Sequence, residues 1–442
     1  MVSQTYSHDN LRQRNYALGS LLHGIENVLF FFVILFFSGA IIGLFFTDLN
    51  DLERDFTMAR LMWYPVYGIV LLLGFRCLPQ LTRVAIFSPI LIICVIVCGV
   101  SMLWSIDPGV TIRRAIALLM TTLFGLVLAA RYDWNGLVQR LAIVFGALAL
   151  VSLFHGFIDP SRAIHNEIHH GAWRGPWTEK NYLGSQMTRG LVVIMCAFAM
   201  KPSRGWIWVP LGLLCFGLVL LSTSKTALLA SLAAIGLFIV LRVFRRFPVL
   251  RIPVAYLFLA GTTIIIGLVL VAPDMMLELI GKDRTLTGRT DIWDALLRSI
   301  KEKPYLGFGY GVYWMEQLGP SYYVRLQLQW GIPTAHNGWI ETWLSVGVLG
   351  VAFFALYYIW TLILALQRIR RGGSETYFAI LIVIVFFVFS LSESSILQQN
   401  DLSWVIFVAV SAKLFAFEKP YWRDKLRENY FTQDIRRAII KN

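Results

Sequence analysis

The sequence predicts an all-α, polytopic membrane protein of about twelve transmembrane helices, with one large loop between helices 9 and 10. Three observations predict it. Of 442 residues, 57% are hydrophobic and only 15% charged, whereas a soluble domain is about half apolar and about a quarter charged. Apolar runs long enough to cross a hydrocarbon core, roughly 20 residues for about 30 Å, recur along the chain. The basic residues behind the net charge of +13 are scattered in small groups between those runs, which argues for loops between spans and against a nucleic-acid surface.

The elements follow in order. A polar N-terminus, 1–21, precedes a first apolar run too long for a signal-peptide core and followed by no small-residue cleavage site, so it is expected to stay with the mature chain. Nine spans are expected within 22–272, at 22–47, 61–78, 83–104, 111–130, 136–157, 182–200, 205–222, 226–243 and 251–272. The loop 273–337 follows, then spans 338–366, 376–392 and 401–417 within 338–417, and a basic tail, 418–442. Only STSK separates the seventh and eighth spans. All five cysteines lie inside apolar runs, which suits packing rather than disulfide staples.

Loops after even-numbered spans are the more basic, with Arg242, Arg245, Arg246 and Arg251 the densest group. By the positive-inside rule both termini are cytoplasmic. The basic tail then faces anionic membrane lipid, and the two longest loops, 158–181 and 273–337, share the outer face.

Long loops are where function concentrates. The larger one carries LTGRTDIWDALLRSIKEKPYLGFGYG, where Thr290 can cap a short helix ended by Pro304. Ile292, Trp293, Leu296, Leu297 and Ile300 form one apolar stripe, which would lie on the membrane or pack over the bundle. Arg174 and Lys180 in WRGPWTEKN, Arg289 in GRT and Arg284 are the outer-loop cations with the least ordinary surroundings. A guanidinium fork suits phosphate oxygens, and lysine adds a point charge. Each could equally anchor a headgroup; Gly175 and Gly288 beside them would permit close backbone approach to a ligand.

A histidine side chain ordinarily titrates at about 6.5, which makes His336 in GIPTAHNGWIETW a residue type able to accept a proton from a hydroxyl at neutral pH. It could also simply cap the next span, with Asn337 orienting the ring or binding a sugar hydroxyl. HNEIHH places His165, Glu167, His169 and His170 together, but the spacing matches no zinc motif and reads as a polar loop. GFGYG at 307–311 lacks the context of a nucleotide loop and reads as a tight turn, leaving Tyr310 free to stack on a sugar. Glu26, Arg189 and Glu393 fall in or beside spans, where lone charges are costly; they should pair or face a wet cavity. No metal ligand set or cofactor motif is read.

Together these segments resemble the O-antigen ligase and polymerase family of bacterial envelope enzymes, of Wzy type. The resemblance rests on WSIDPGVTIRRA (104–115), WRGPWTEKNYLG (173–184), LSTSKTALLA (221–230), GRTDIW (288–293), KPYLGFGYG (303–311) and AHNGWIETWLSVGVLG (335–350). WRG followed by EKNYLG, with SESSILQQNDLSW at 392–404, looks most like the exopolysaccharide polymerase branch, departing from it at Glu179, where histidine or aspartate is usual. The resemblance implies metal-independent, cofactor-free glycosyl transfer at the periplasmic face of the bacterial inner membrane. The donor would be an undecaprenyl-pyrophosphate-linked oligosaccharide and the acceptor a sugar hydroxyl. Arg174 and Arg289 would bind the pyrophosphate, His336 would activate the acceptor, and chain-length and export proteins would be partners. A ligase moving O-antigen to lipid A core is the near alternative, and a transporter or flippase the distant one.

Overall fold

The computed structural model describes residues 24–45, 60–166, 169–250, 252, 253, 256, 289–315, 320–329 and 331–417. The expected N-terminal segment, the ninth span, Arg284, Gly288 and the basic tail lie wholly or almost wholly outside them. The described chain is helical, with one isolated bridge between Ile164 and Trp173.

In order the helices are α1 (Gly24–Phe37), α2 (Ala40–Phe45), α3 (Trp63–Arg76), α4 (Leu78–Ile86), α5 (Pro89–Val100), α6 (Pro108–Arg131), α7 (Trp134–Ile158) and α8 (Lys180–Met200). They continue with α9 (Gly205–Leu221), α10 (Lys225–Arg246), α11 (Arg289–Glu302), α12 (Ser321–Leu328), α13 (Gly338–Arg371), α14 (Glu375–Ser390) and α15 (Leu402–Phe417). Helix underlies all eleven expected spans that fall within the described residues. Among the described residues six helices are long and apolar enough to cross a membrane, or seven if the bent pair α3–α4 counts as one. The fold is that of a multi-pass membrane protein; shorter apolar helices stand at four further expected spans, and the ninth expected span lies outside the described residues.

The differences have local causes. The first expected span breaks at Ser38–Gly39, where Gly39 adopts φ 74° and the Ser38 carbonyl accepts a hydrogen bond from the Trp177 indole at 2.7 Å. The second bends by 93° between α3 and α4. The third begins at Pro89, not residue 83, because Ser88–Pro89 restarts the helix with proline in its first turn.

α13 is two helices joined at a break, with Val346 at φ −132° and Gly347 at φ 69°. The break strands the carbonyls of Leu344 and Ser345, and GFGYG takes them up. Phe308 and Gly309 donate their backbone N–H groups to these oxygens at 2.8 and 3.0 Å. Pro304 returns the exchange by accepting from Val348 N at 2.9 Å and the Trp343 indole at 2.8 Å. The glycine-rich segment is therefore a strap across a broken helix rather than a free turn. A Cβ on Gly307 would lie 2.6 Å from the Leu344 carbonyl.

α8 packs against α7, α9, α10 and α14, while α15 packs against α4, α6, α13 and α14. Lipid is as apolar as a leucine side chain, so close packing rather than burial from water holds such helices. Gly125 on α6 shows it, since a Cβ there would meet Val408 of α15 at 2.7 Å. Over the bundle, α11 buries Ile292, Ala295, Leu296 and Ile300 against Phe308, Tyr313 and Leu344. The expected stripe thus packs on protein, except that Leu297 stays 43% exposed. Thr290 lies inside α11 rather than capping it.

One end of the bundle gathers the described segments around 163–166, 169–180, 221–224, 304–315, 331–337 and 391–401. The other end gathers Glu26 with Arg131 at 2.6 Å and Arg76 at 3.5 Å, and Arg368 with Glu375 at 2.7 Å.

Candidate active site

The site is built around the turn that leads into α13. Asn337 caps that helix, its side-chain oxygen accepting from Trp339 N at 3.0 Å and Ile340 N at 3.2 Å. That oxygen is thereby committed to the backbone rather than to the histidine ring or a sugar. His336 immediately before it has φ 47°, in the left-handed region, which costs a non-glycine residue roughly 1–3 kcal/mol and persists only where neighbours impose it. Here they do. Ala335 donates its N–H to Glu341 at 3.0 Å and accepts from the Trp293 indole at 3.0 Å, while the other Glu341 oxygen accepts from Trp314 at 2.7 Å.

The ring this turn presents is 24% exposed, and its Nδ1 stands 3.8 Å from a carboxylate oxygen of Glu393. The other oxygen of Glu393 stands 3.8 Å from the guanidinium of Arg289, which is 15% exposed in the first turn of α11. These separations are charge contacts, longer than hydrogen bonds; Nδ1 has no hydrogen-bond partner. Glu393 itself is set by the tight turn after α14, where its N–H donates to Phe389 O at 2.7 Å.

A second group sits on the loop before α8. Arg174 follows the Ile164–Trp173 bridge and donates through Nε to Arg162 O at 2.7 Å, so its own hairpin uses part of its fork. Gly175 is required there by its φ of 61°. Lys180 opens α8 and reaches Thr223 of STSK at 3.4 Å, and Trp173 N donates to Leu221 O at 2.9 Å, which ties the two motifs together. The two groups meet at Glu179. Although solvent reaches its surface, crowding protein desolvates its carboxyl and pushes the pKa up; Glu393 adds to the rise, while His336, Arg174 and Lys180 oppose it.

Tyr310 is not free. Its ring is 6% exposed and its hydroxyl donates to Leu397 O at 2.6 Å. His165 is held by the hairpin rather than gathered into a ligand set; among the described residues no metal-capable cluster forms, and Glu167 lies outside them. Of the three intramembrane charges singled out, Glu26 pairs with arginines, Arg189 lies 4.9 Å over the Phe389 ring, and Glu393 joins the site. The role of Glu393 was missed from sequence; its one signal was an acid in SESS directly after an apolar run.

These observations define a multi-pass membrane protein with three cations, Arg174, Lys180 and Arg289, a histidine and two glutamates at one end of its bundle, side chains of the kinds that suit an anionic ligand and proton transfer. The comparisons narrow that class. A family model described as O-antigen ligase matches residues 210–355, a stretch that holds Arg289, Tyr310, His336 and Asn337. The chain is also similar to the exopolysaccharide production protein ExoQ of Rhizobium meliloti (strain 1021), at 25% identity over 288 residues. That match covers 61% of this chain and 63% of the relative. Both bear out the resemblance read from the motifs, to the Wzy-type O-antigen ligase and polymerase family.

Proposed function

We propose that the protein is a glycosyltransferase that joins lipid-linked repeat units into a surface polysaccharide, at the periplasmic face of a bacterial inner membrane. The observation that carries the reading is His336, held in a constrained turn beside a glutamate that also faces Arg289. A histidine protonated on Nδ1 toward Glu393 leaves Nε2 as the base. It takes the proton of a sugar hydroxyl as that oxygen forms a bond to the anomeric carbon of the donor glycan. The anomeric carbon to phosphate-oxygen bond breaks, and undecaprenyl pyrophosphate leaves with the electron pair. Arg289, Arg174 and Lys180 meet the charge that grows on it, where a pre-placed cation stabilises the transition state most. A single displacement inverts the anomeric centre.

The similarity to a protein named for exopolysaccharide production favours a polymerase over a ligase. The test supplies purified protein in liposomes with lipid-linked repeats alone. Chain growth supports the polymerase; transfer only after lipid A core is added supports the ligase. His336→Ala should lower chain growth by about 10² to 10⁴, the usual share of a positioned base. Full growth with that variant would overturn the assignment.

A further inference from the structure

Beside the turn that carries the histidine, and lined by the Glu341 that holds it, lies a cavity of about 390 Å³, within the roughly 300–1,000 Å³ of small-molecule sites. Thr334 and Ser394 form part of its wall, two positions from His336 and one from Glu393, which themselves stand outside the lining; Arg174, Lys180 and Arg289 take no part in it either. It is therefore a compartment distinct from the cations assigned to the pyrophosphate.

Its wall holds three charged side chains, each already engaged by the protein. Arg114 donates to Gly311 O; Arg325 donates to Ile332 O and Trp314 O, both at 3.1 Å. Glu341 accepts from Trp314, Ala335 N and Ser394. What the cavity offers a ligand is neutral: the side-chain amides of Gln398 and Gln399, which among the described residues bond to no other group, and the aromatic surface of the half-buried Trp314.

The segment carrying the two glutamines is held in strain. Leu397 has φ 51° and Asn400 φ 58°, and a left-handed leucine is a genuine outlier of the kind found at ligand clamps. Three bonds impose it: the Tyr310 hydroxyl to Leu397 O at 2.6 Å, the Tyr67 hydroxyl to Asn400 Oδ1 at 2.7 Å, and Asn400 N to Thr121 at 2.8 Å. The bundle thus spends conformational energy to hold Gln398 and Gln399 in the wall.

We infer that this cavity is the acceptor subsite, taking uncharged sugar residues whose hydroxyls bond to Gln398 and Gln399 and presenting one of them to His336. The inference rests on the glycosyltransferase reading. An amide that both donates and accepts suits a hydroxyl, which does the same. Aromatic walls with few polar groups fit a carbohydrate's mixed surface.

The probe is the oligosaccharide freed from the lipid-linked repeat by mild acid, which keeps its hydroxyls but lacks the pyrophosphate and can serve only as acceptor. The volume-conserving variants Gln398→Met and Gln399→Met, singly and together, are compared with wild type in liposomes. The double variant should raise KM for the freed oligosaccharide by about tenfold or more, as for two lost hydrogen bonds. Its kcat at saturating freed oligosaccharide, and its KM for the lipid-linked repeat as donor under that saturation, should not change. Unchanged acceptor KM overturns the proposal, as does a rise in donor KM instead. A wild-type protein that builds chains yet ignores the freed oligosaccharide overturns it with the function intact. A wild-type protein that joins no lipid-linked repeats brings down the functional reading itself.

Discussion

A histidine in the left-handed region, with an acid and an arginine arranged around it, invites tests by single side chains. Glu393 touches both His336 and Arg289, so Glu393→Gln keeps the shape and removes the charge that favours a proton on Nδ1. The expected result is a lower kcat with donor KM little changed, a smaller loss than the 10² to 10⁴ of removing the base itself. An unchanged kcat would mean Glu393 does not act on the ring. Arg289→Lys keeps the charge but not the fork, and should raise donor KM while leaving the shape of the pH profile alone. Neither role followed from composition: the sequence marks Arg289 and His336 by their surroundings, whereas Glu393 is 57 positions from His336 and becomes legible only once α14 folds back.

At the scale of elements, two segments hold the site and each makes its own prediction. The strap at 303–311 depends on the break in α13, and Gly347 sits at φ 69°, where a Cβ would run into the Tyr305 carbonyl. Gly347→Ala should therefore destabilise the protein by more than about 1 kcal/mol. Gly217→Ala, where a Cβ meets nothing within 4 Å, should be near neutral; thermal unfolding in detergent compares them. The hairpin that presents Arg174 contains His165, whose pKa burial pushes from its ordinary 6.5 down to about 4, helped by Arg174, His169 and Lys180. Above pH 6.5 the ring is neutral folded or unfolded; as pH falls toward 4 the unfolded chain takes the proton first. Stability present at neutral pH is thus lost on acidification through that window. His165→Asn should flatten the difference in unfolding temperature between pH 7 and pH 5, and an unchanged difference would place the pH sensitivity elsewhere.

Across the whole molecule, hydropathy located the helices well and their ends poorly. Apolar runs report where a chain can be helical in lipid, so eleven expected spans met helix; they do not report a break that tertiary contacts impose, as at Ser38–Gly39, Cys77 and Val346–Gly347. The apolar stripe of α11 was legible for the same reason, while the surface it covers was not, because that surface is assembled from distant segments. Orientation is the property on which the functional reading depends most. The bundle has two unlike ends, one with the candidate site and one rich in arginine at Arg76, Arg131, Arg140 and Arg368. Short basic loops are retained in the cytoplasm, so the site end should face out. The native chain suits a direct test, because all five cysteines are free and buried and give a low labelling background. Thr178→Cys and Ser203→Cys each create an exposed thiol, the first beside Glu179 at the site end and the second between α8 and α9 at the other. In spheroplasts a membrane-impermeant maleimide should label the first and spare the second until the membrane is opened. Labelling in the reverse order would put His336 on the cytoplasmic side, where no periplasmic polymerisation could use it.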